Sequence, residues 1–110
     1  MIQGASGATY GFLSVRQGYL GCYVDTRENR VLPHSFMIDK TRMTTETCRL
    51  HCQRNHHPYF GTEYGTECYC GDVLRLGNRL KPETECSMPC AGDKSTVCGG
   101  PLRISVYKVV

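Results

Sequence analysis

The fold is decided by residues 61–71, which read GTEYGTECYCG. Glycine at the centre of an alternating stretch favours a tight turn, so this segment predicts a β-hairpin. Side chains alternate between the two faces of a strand, which places Cys68 and Cys70 on one face of the second strand. The rest of the chain is expected to be attached to that face through disulfide bonds.

The predicted turn also sets the register of the hairpin. If Gly65 and Thr66 form a two-residue turn, Tyr64 lies opposite Glu67, and Thr62 lies opposite Tyr69. These side chains would then share the face that points away from the two cysteines, and Phe60 would join them there.

A helix is predicted within residues 43–55, MTTETCRLHCQRN. Thr44 is a favourable N-cap, and Glu46 lies in the first turn, where the helix dipole favours a negative charge. Cys48 and Cys52 are four residues apart and therefore project from the same side of the helix. That side is expected to face the cysteines of the hairpin.

The spacing of the cysteines predicts two disulfide bonds between helix and hairpin. One helical turn rises about 5.4 Å, and two residues of a strand rise about 6.6 Å, so two cysteine pairs fit side by side. The spacing favours Cys48 with Cys68 and Cys52 with Cys70. The swapped pairing has the same geometry, so it remains open at this point.

Composition indicates a single extracellular domain. The chain has 110 residues, of which 40% are apolar, and its eight cysteines favour four disulfides. Disulfides persist in oxidising compartments, which predicts a secreted, cell-surface or cell-wall location. The net charge of +3 comes from scattered residues, which argues against nucleic-acid binding. Neither a signal peptide nor a membrane-inserting segment is recognisable, so we expect an excised domain or an incomplete gene model.

The remaining segments predict short elements around this centre. Residues 1–18 are rich in small residues and predict a flexible N-terminal segment, followed by a domain over residues 19–110. A first strand is expected at YLGCYVD, a polar loop with an apolar patch over residues 26–41, and a surface loop over residues 71–85. CSMPCAGDKSTVCGGP predicts a short loop closed by two cysteines, and LRISVYKVV a terminal strand beside the first.

The order of these motifs closely resembles the WSC domain over about residues 19–107. The motifs are YLGCYVD, MTTETC with a Cys-x-x-x-Cys helix, FGTEYGTECYCG and CSMPCAGDKSTVCGGPLRISVY. The resemblance implies a small disulfide-rich α+β domain related to the PAN/apple fold, with one main helix packed on a small antiparallel sheet. It also implies four disulfides: Cys22–Cys86, Cys48–Cys68, Cys52–Cys70 and Cys90–Cys98.

The same resemblance implies a function. WSC domains are extracellular modules that bind β-glucan, xylan, chitin-like or other wall polysaccharides, or that contact another cell-surface protein. It implies neither catalysis nor a cofactor. Tyrosine next to a carboxylate suits a sugar, because the flat C–H face of the ring stacks on an aromatic side chain while its hydroxyls bond to polar groups.

The candidate carbohydrate-binding residues are therefore Tyr64, Glu67, Tyr69, Tyr23 and Phe60. For Phe60 and Tyr69, core packing is the favoured alternative in so small a domain. For Tyr64 and Glu67, next to the turn, exposure and packing are equally favoured. The alternative for Tyr23 is packing against the C-terminal strand.

Two other types of site, a zinc site and a glycosidase active site, use residues that this sequence contains. His51, His56 and His57 lie near cysteines, but Cys-x-Cys spacing and an even cysteine count favour disulfides over a zinc site. Glu63 and Glu67 could suggest a glycosidase. Such an enzyme needs an acid and a base across a deep cleft, which a domain of this size rarely forms. We therefore predict neither a metal site nor an enzyme.

Overall fold

The computed structural model describes residues 17–110. The predicted flexible segment over residues 1–18 therefore lies almost entirely outside the described residues. The elements in chain order are β1 (Tyr19–Val24), β2 (Ser35–Ile38), α1 (Thr45–Arg54), β3 (Tyr59–Glu63), β4 (Glu67–Gly71), β5 (Leu80–Lys81), a 3₁₀ turn (Glu83–Glu85), β6 (Pro89–Cys90), β7 (Asp93–Val97) and β8 (Arg103–Lys108).

Six of the strands form one antiparallel sheet in the order β2-β4-β3-β8-β1-β5, and β6 and β7 form a separate two-stranded sheet. The C-terminal strand β8 lies between β3 and β1, where its β-branched residues pair on both sides. The predicted pairing of the terminal strand with the first strand is confirmed. Helix α1 packs on β3 and β4, so the domain has the predicted α+β architecture.

Helix α1 begins where the sequence predicts. Thr44 has extended backbone torsions, and its Oγ1 accepts a hydrogen bond from the Thr47 N–H at 2.9 Å. Glu46 lies in the first turn, and Cys48 and Cys52 are the buried residues of the helix. Within residues 17–110, no helix combines the length and the apolar character that a membrane span requires.

Four disulfides bind these elements together, and all four expected pairings are confirmed. Two bonds join α1 to β4, namely Cys48–Cys68 and Cys52–Cys70, each with Cα atoms 5.4 Å apart. Of the two pairings that spacing allowed, the direct one is therefore formed. Cys22–Cys86 ties β1 to the end of the 3₁₀ turn, and Cys90–Cys98 closes the β6–β7 hairpin.

The large sheet is covered on both sides. We call the side that carries Cys68 and Cys70 the helix face, and the side that carries Tyr69 and Ile104 the loop face. The helix face packs against α1 through a cluster that includes Phe60 and Tyr107. The loop face is covered in part by Val31, Leu32, Leu74 and Leu76 from the segments after β1 and β4. Alternation along each strand thus supplies two small cores.

The predicted turn of the central hairpin is wrong by one residue. Glu63 pairs with Glu67 and Phe60 pairs with Cys70, so the turn comprises the three residues 64–66. Gly65 fixes this turn: its N–H donates to the Cys98 carbonyl, and its own carbonyl accepts from Ala91, both at 2.9 Å. These long-range bonds place Phe60 on the helix face, not on the face shared by Tyr69 and Glu67.

The predicted polar loop over residues 26–41 is also corrected. Its apolar patch forms strand β2, in which Ser35 pairs with Cys70 and Ile38 pairs with Glu67 at the edge of the sheet. The predicted surface loop over residues 71–85 contains the short strand β5 and the 3₁₀ turn. The predicted closed loop near the C-terminus is confirmed as the β6–β7 hairpin.

Removing the Cys90–Cys98 bond is expected to lower the free energy of unfolding by roughly 2–3 kcal/mol, the chain-entropy value for a loop this short. The bond spans eight residues and holds the carbonyl that accepts from Gly65. The measurement is urea unfolding of the double variant Cys90→Ala/Cys98→Ala, with Val97→Ala as the control. Equal stability of wild type and double variant would show that hydrogen bonds alone close this hairpin.

Candidate functional site

The most favourable site in the described residues is a shallow groove on the loop face, formed by two adjoining cavities of about 340 Å³ and 440 Å³. Arg27, Arg30 and Glu67 line both cavities. The first cavity adds Glu63, Tyr64, Pro101 and Leu102, and the second adds Phe36, Ile38 and Tyr69. Both volumes lie at the lower end of the ~300–1,000 Å³ typical of ligand clefts. The groove therefore suits a small or extended ligand that remains partly exposed to water.

Strand register brings the floor of the groove together. Phe36 of β2 lies opposite Tyr69 of β4, and Ile38 lies opposite Glu67. On the other side of β4, Glu67 lies opposite Glu63 of β3. Directly paired residues project from the same face of a sheet, so all five side chains are on the loop face.

Tyr69 is held in a stack at the centre of the second cavity. Its ring lies 5.9 Å from that of Phe36, at an interplanar angle of 25°, and the Arg30 guanidinium carbon lies 4.5 Å from the Tyr69 centroid. The Tyr69 hydroxyl donates to Glu67 Oε1 at 2.9 Å. Burial, followed by this hydrogen bond, raises the pKa of Tyr69 above its usual range. The phenol therefore keeps its proton and holds the Glu67 carboxylate in place.

Asp25 anchors the loop that supplies the two arginines. It is fully buried, and it accepts hydrogen bonds at 2.7 Å from the Val31 N–H and from Arg30 Nη1. A buried carboxylate is tolerated where it is paired and hydrogen-bonded, as here. Asp25 thus fixes Arg30 over Tyr69 and folds the Thr26–Asn29 turn that presents Arg27.

Glu63 lies beneath the first cavity. Glu63 is 3% exposed. Its Oε1 has no hydrogen-bond partner within residues 17–110, although Arg30 Nη1 lies 3.6 Å away. Burial, followed by the hydrogen bond to Asp25 and the negative charge of that residue, raises the pKa of Glu63 to about 10. Glu63 is therefore a neutral carboxylic acid at physiological pH.

Two apolar side chains at the rim of the first cavity are held by strained backbone. Tyr64 and Leu102 both have φ of 56°, in the left-handed region that non-glycine residues seldom adopt. Their side chains are 52% and 60% exposed, respectively. Strain of this kind costs on the order of 1–3 kcal/mol and is concentrated at binding sites. In this domain, the strained backbone of Tyr64 and Leu102 coincides with exposed apolar surface at the first cavity.

The structure brings three of the five candidate residues together and separates the other two. Tyr64, Glu67 and Tyr69 line the groove, and Tyr69, at 7% exposed, also packs in the core cluster of the loop face, as its favoured alternative predicts. Phe60 is 1% exposed and stacks on Tyr107 on the helix face. Tyr23 is 8% exposed and lies opposite Ile104 of the C-terminal strand, which confirms packing against that strand over carbohydrate binding.

The sequence prediction missed Arg27, Arg30, Phe36 and Leu102. Phe36 belongs to the apolar patch that the sequence predicts within a loop, whereas it lies on strand β2. Arg27 and Arg30 reach the groove only because Asp25 turns the chain back over the sheet. Leu102 follows the CGGP motif, where its left-handed backbone gives no signal in the sequence.

A separate cavity of about 400 Å³, which is not part of the groove, lies on the opposite side of the domain, between the start of α1 and β7. Its polar groups are already engaged: Thr44 caps the helix, Glu46 pairs with Arg49 at 2.8 Å, and Asp93 accepts from the Ser95 N–H at 3.0 Å. These contacts stabilise local structure and leave fewer groups to bind a ligand.

A cluster of sulfur atoms lies beneath α1, where the Sγ atoms of Cys48, Cys52 and Cys68 are within 4.8 Å of one another. All three are in disulfides. A metal binds thiolates, so sulfurs in disulfides do not provide that ligand set.

Comparison with known proteins identifies the family. The model of the WSC domain matches residues 19–100. The chain belongs to the WSC domain family. Family members are found in extracellular or cell-surface proteins, and in most of them the WSC domain is a non-catalytic module.

The WSC match extends to relatives from fungi and animals. The chain is 44% identical over 88 residues to a WSC domain-containing protein of Arthroderma benhamiae, covering 80% of this chain and 12% of that protein. It is 36% identical over 93 residues to Kremen protein 2 of Homo sapiens, covering 84% of this chain and 20% of that protein. It is 32% identical over 90 residues to Xylosyltransferase oxt of Drosophila melanogaster, covering 81% of this chain and 10% of that protein. The chain spans a fifth or less of the length of these relatives.

Proposed function

We propose that this WSC domain is a non-catalytic, extracellular carbohydrate-binding module that binds cell-wall polysaccharide of the β-glucan, xylan or chitin type. The observation that supports this proposal is the combination of exposed aromatic rings, Tyr64 and Phe36, with Arg27 and Glu67 in the same groove. Aromatic faces stack on the C–H face of a sugar, and charged groups bond to its hydroxyls.

The charges around the groove favour an uncharged polysaccharide. With Glu63 neutral, the charged groups are the two guanidinium groups of Arg27 and Arg30 and the two carboxylates of Asp25 and Glu67. These charges cancel, so the groove provides no net attraction for a polyanion or a polycation. We expect retention on neutral polysaccharides that depends little on salt.

The second candidate function is binding to another cell-surface protein, within a receptor or a wall sensor. It is favoured by strand β2, which lies at the edge of the sheet and exposes Phe36 and Ile38. An exposed apolar edge strand can pair with a strand of a partner protein. A folded domain that no polysaccharide retains would support this function in place of the first.

Tyr64→Gly is expected to reduce retention on the bound polysaccharide by about tenfold or more, because it removes an exposed aromatic ring from the groove. Glycine adopts the left-handed backbone without strain. The free energy of unfolding is therefore expected to stay within about 1 kcal/mol of wild type.

The measurement is co-sedimentation with insoluble β-1,3-glucan, xylan and chitin, together with urea unfolding of each variant. Leu80→Ala is the matched control, because Leu80 is an exposed apolar residue on β5, away from the groove. Retention of Tyr64→Gly equal to that of wild type would contradict a role for this ring. Release of reducing sugar by the wild-type domain would contradict the non-catalytic assignment.

A further inference from the structure

The two cavities form one groove that crosses the strands. Glu63, Glu67 and Ile38 are directly paired across β3, β4 and β2. Neighbouring strands lie about 4.8 Å apart, so this row extends over about 10 Å. Tyr64 follows Glu63 at one end of the row, and Phe36 lies on β2 at the other end.

Both ends of the groove carry exposed apolar side chains. Tyr64 and Leu102 lie at the first cavity, and Phe36 and Ile38 lie at the second. All four are at least half exposed. Between the two ends, Arg27 and Glu67 belong to both cavities and supply donors and acceptors.

We propose that the groove binds an internal segment of a linear, uncharged polysaccharide in at least two adjacent subsites, with its chain running across the strands. Tyr64 and Leu102 form one subsite, and Phe36 and Ile38 form the other. Arg27 and Glu67 bind hydroxyls on either side of the linkage between them. This inference rests on the proposed function and adds to it the form of the ligand and the residues of the second subsite.

Two features support a preformed binding site. Glu63 is almost fully buried beneath the first cavity, and its Oε1 has no hydrogen-bond partner within residues 17–110. A sugar hydroxyl or an ordered water in that cavity would satisfy this atom. At the other end, Tyr69 is a positioning residue, because its ring supports Phe36 and its hydroxyl holds Glu67. Preformed groups of this kind lower the ordering cost of binding.

The test is a series of ligands of one to six sugars, prepared from the polysaccharide that retains the wild-type domain and titrated by calorimetry. For wild type, affinity is expected to rise at least tenfold from the monosaccharide to the disaccharide and longer chains as both subsites fill. Blocking the reducing ends of the long chains is expected to leave their affinity unchanged, since the groove binds internal sugars.

Phe36→Ala is expected to weaken binding of the longest oligosaccharide about fivefold to tenfold, while monosaccharide affinity changes less, because Tyr64 and Leu102 still bind it. Val73→Ala, another exposed apolar residue, is the control and is expected to bind like wild type. Retention on polysaccharide with an affinity independent of chain length, or unaffected by Phe36→Ala, would overturn the two-subsite proposal alone. Failure of wild type to bind any polysaccharide would overturn the proposed function as well.

Discussion

Replacing Asp25 with alanine is expected to lower the free energy of unfolding by about 2–4 kcal/mol, because a buried N–H loses its acceptor and the partly exposed Arg30 loses its paired carboxylate. Asp25 is fully buried and accepts from both the Arg30 guanidinium and the Val31 N–H. Without it, the N–H is buried without a partner, and Arg30 loses the contact that holds it over Tyr69. We therefore expect polysaccharide retention to fall together with stability.

Comparing Asp25→Asn with Asp25→Ala separates the charge of Asp25 from its role as a hydrogen-bond acceptor. Asp25→Asn keeps an oxygen for the Val31 N–H but removes the charge that pairs with Arg30, so a smaller loss of stability is expected. Asp39→Ala is the surface control, because Asp39 also accepts backbone N–H bonds, from Thr41 and Arg42, at an exposed turn. The measurement is urea unfolding of all three variants at pH 7. An equal loss for Asp25→Ala and Asp39→Ala would contradict the buried-pair explanation.

The features that the sequence predicted correctly depend on residues close together in the chain. Thr44 caps α1 through a bond to Thr47, three residues away. The two disulfides between α1 and β4 follow from matched cysteine spacings, because the rise of one helical turn is similar to the rise of two strand residues. The other two pairings came from resemblance to the WSC family, since no local spacing specifies them.

The features that were missed depend on contacts between distant segments. The hairpin register is set by the bonds of Gly65 to Cys98 and Ala91. Strand β2 has no strict polar alternation and forms because β4 offers it a free edge. The arginines of the groove are placed by buried Asp25, which nothing near it in the sequence distinguishes from an exposed aspartate. Most of the groove lining was therefore beyond local reasoning.

Glu63→Gln is expected to make the stability of the domain less dependent on pH. In the native state the pKa of Glu63 is raised from 4.5 to about 10, so between these values the folded domain holds a proton that the unfolded chain releases. The contribution of Glu63 to stability is therefore fully present below about pH 4.5 and falls as pH rises, by up to about 1.4 kcal/mol per unit. Glutamine cannot ionise, so this contribution to the slope disappears.

The measurement is the difference in unfolding free energy between Glu63→Gln and wild type at several pH values. Residues common to both chains titrate in both, so their effect on this difference largely cancels. The groups that face Glu63 are Asp25, Arg30, Glu67 and Tyr69. Relative to wild type, the variant is expected to gain about 2–4 kcal/mol between pH 5 and pH 8. A constant difference over that range would show that Glu63 is ionised in the folded domain.

Asp25→Asn supplies the matched background for this pH experiment. Burial is the largest cause of the raised pKa of Glu63, and the hydrogen bond to Asp25 and the charge of Asp25 follow. Asparagine removes the charge and leaves burial in place, so the pH-dependent gain from Glu63→Gln is expected to shrink without vanishing. An undiminished gain would assign the shift to burial alone, and complete loss would assign it to Asp25. Either result would identify the main cause of the raised pKa and would leave Glu63 neutral in the wild-type domain.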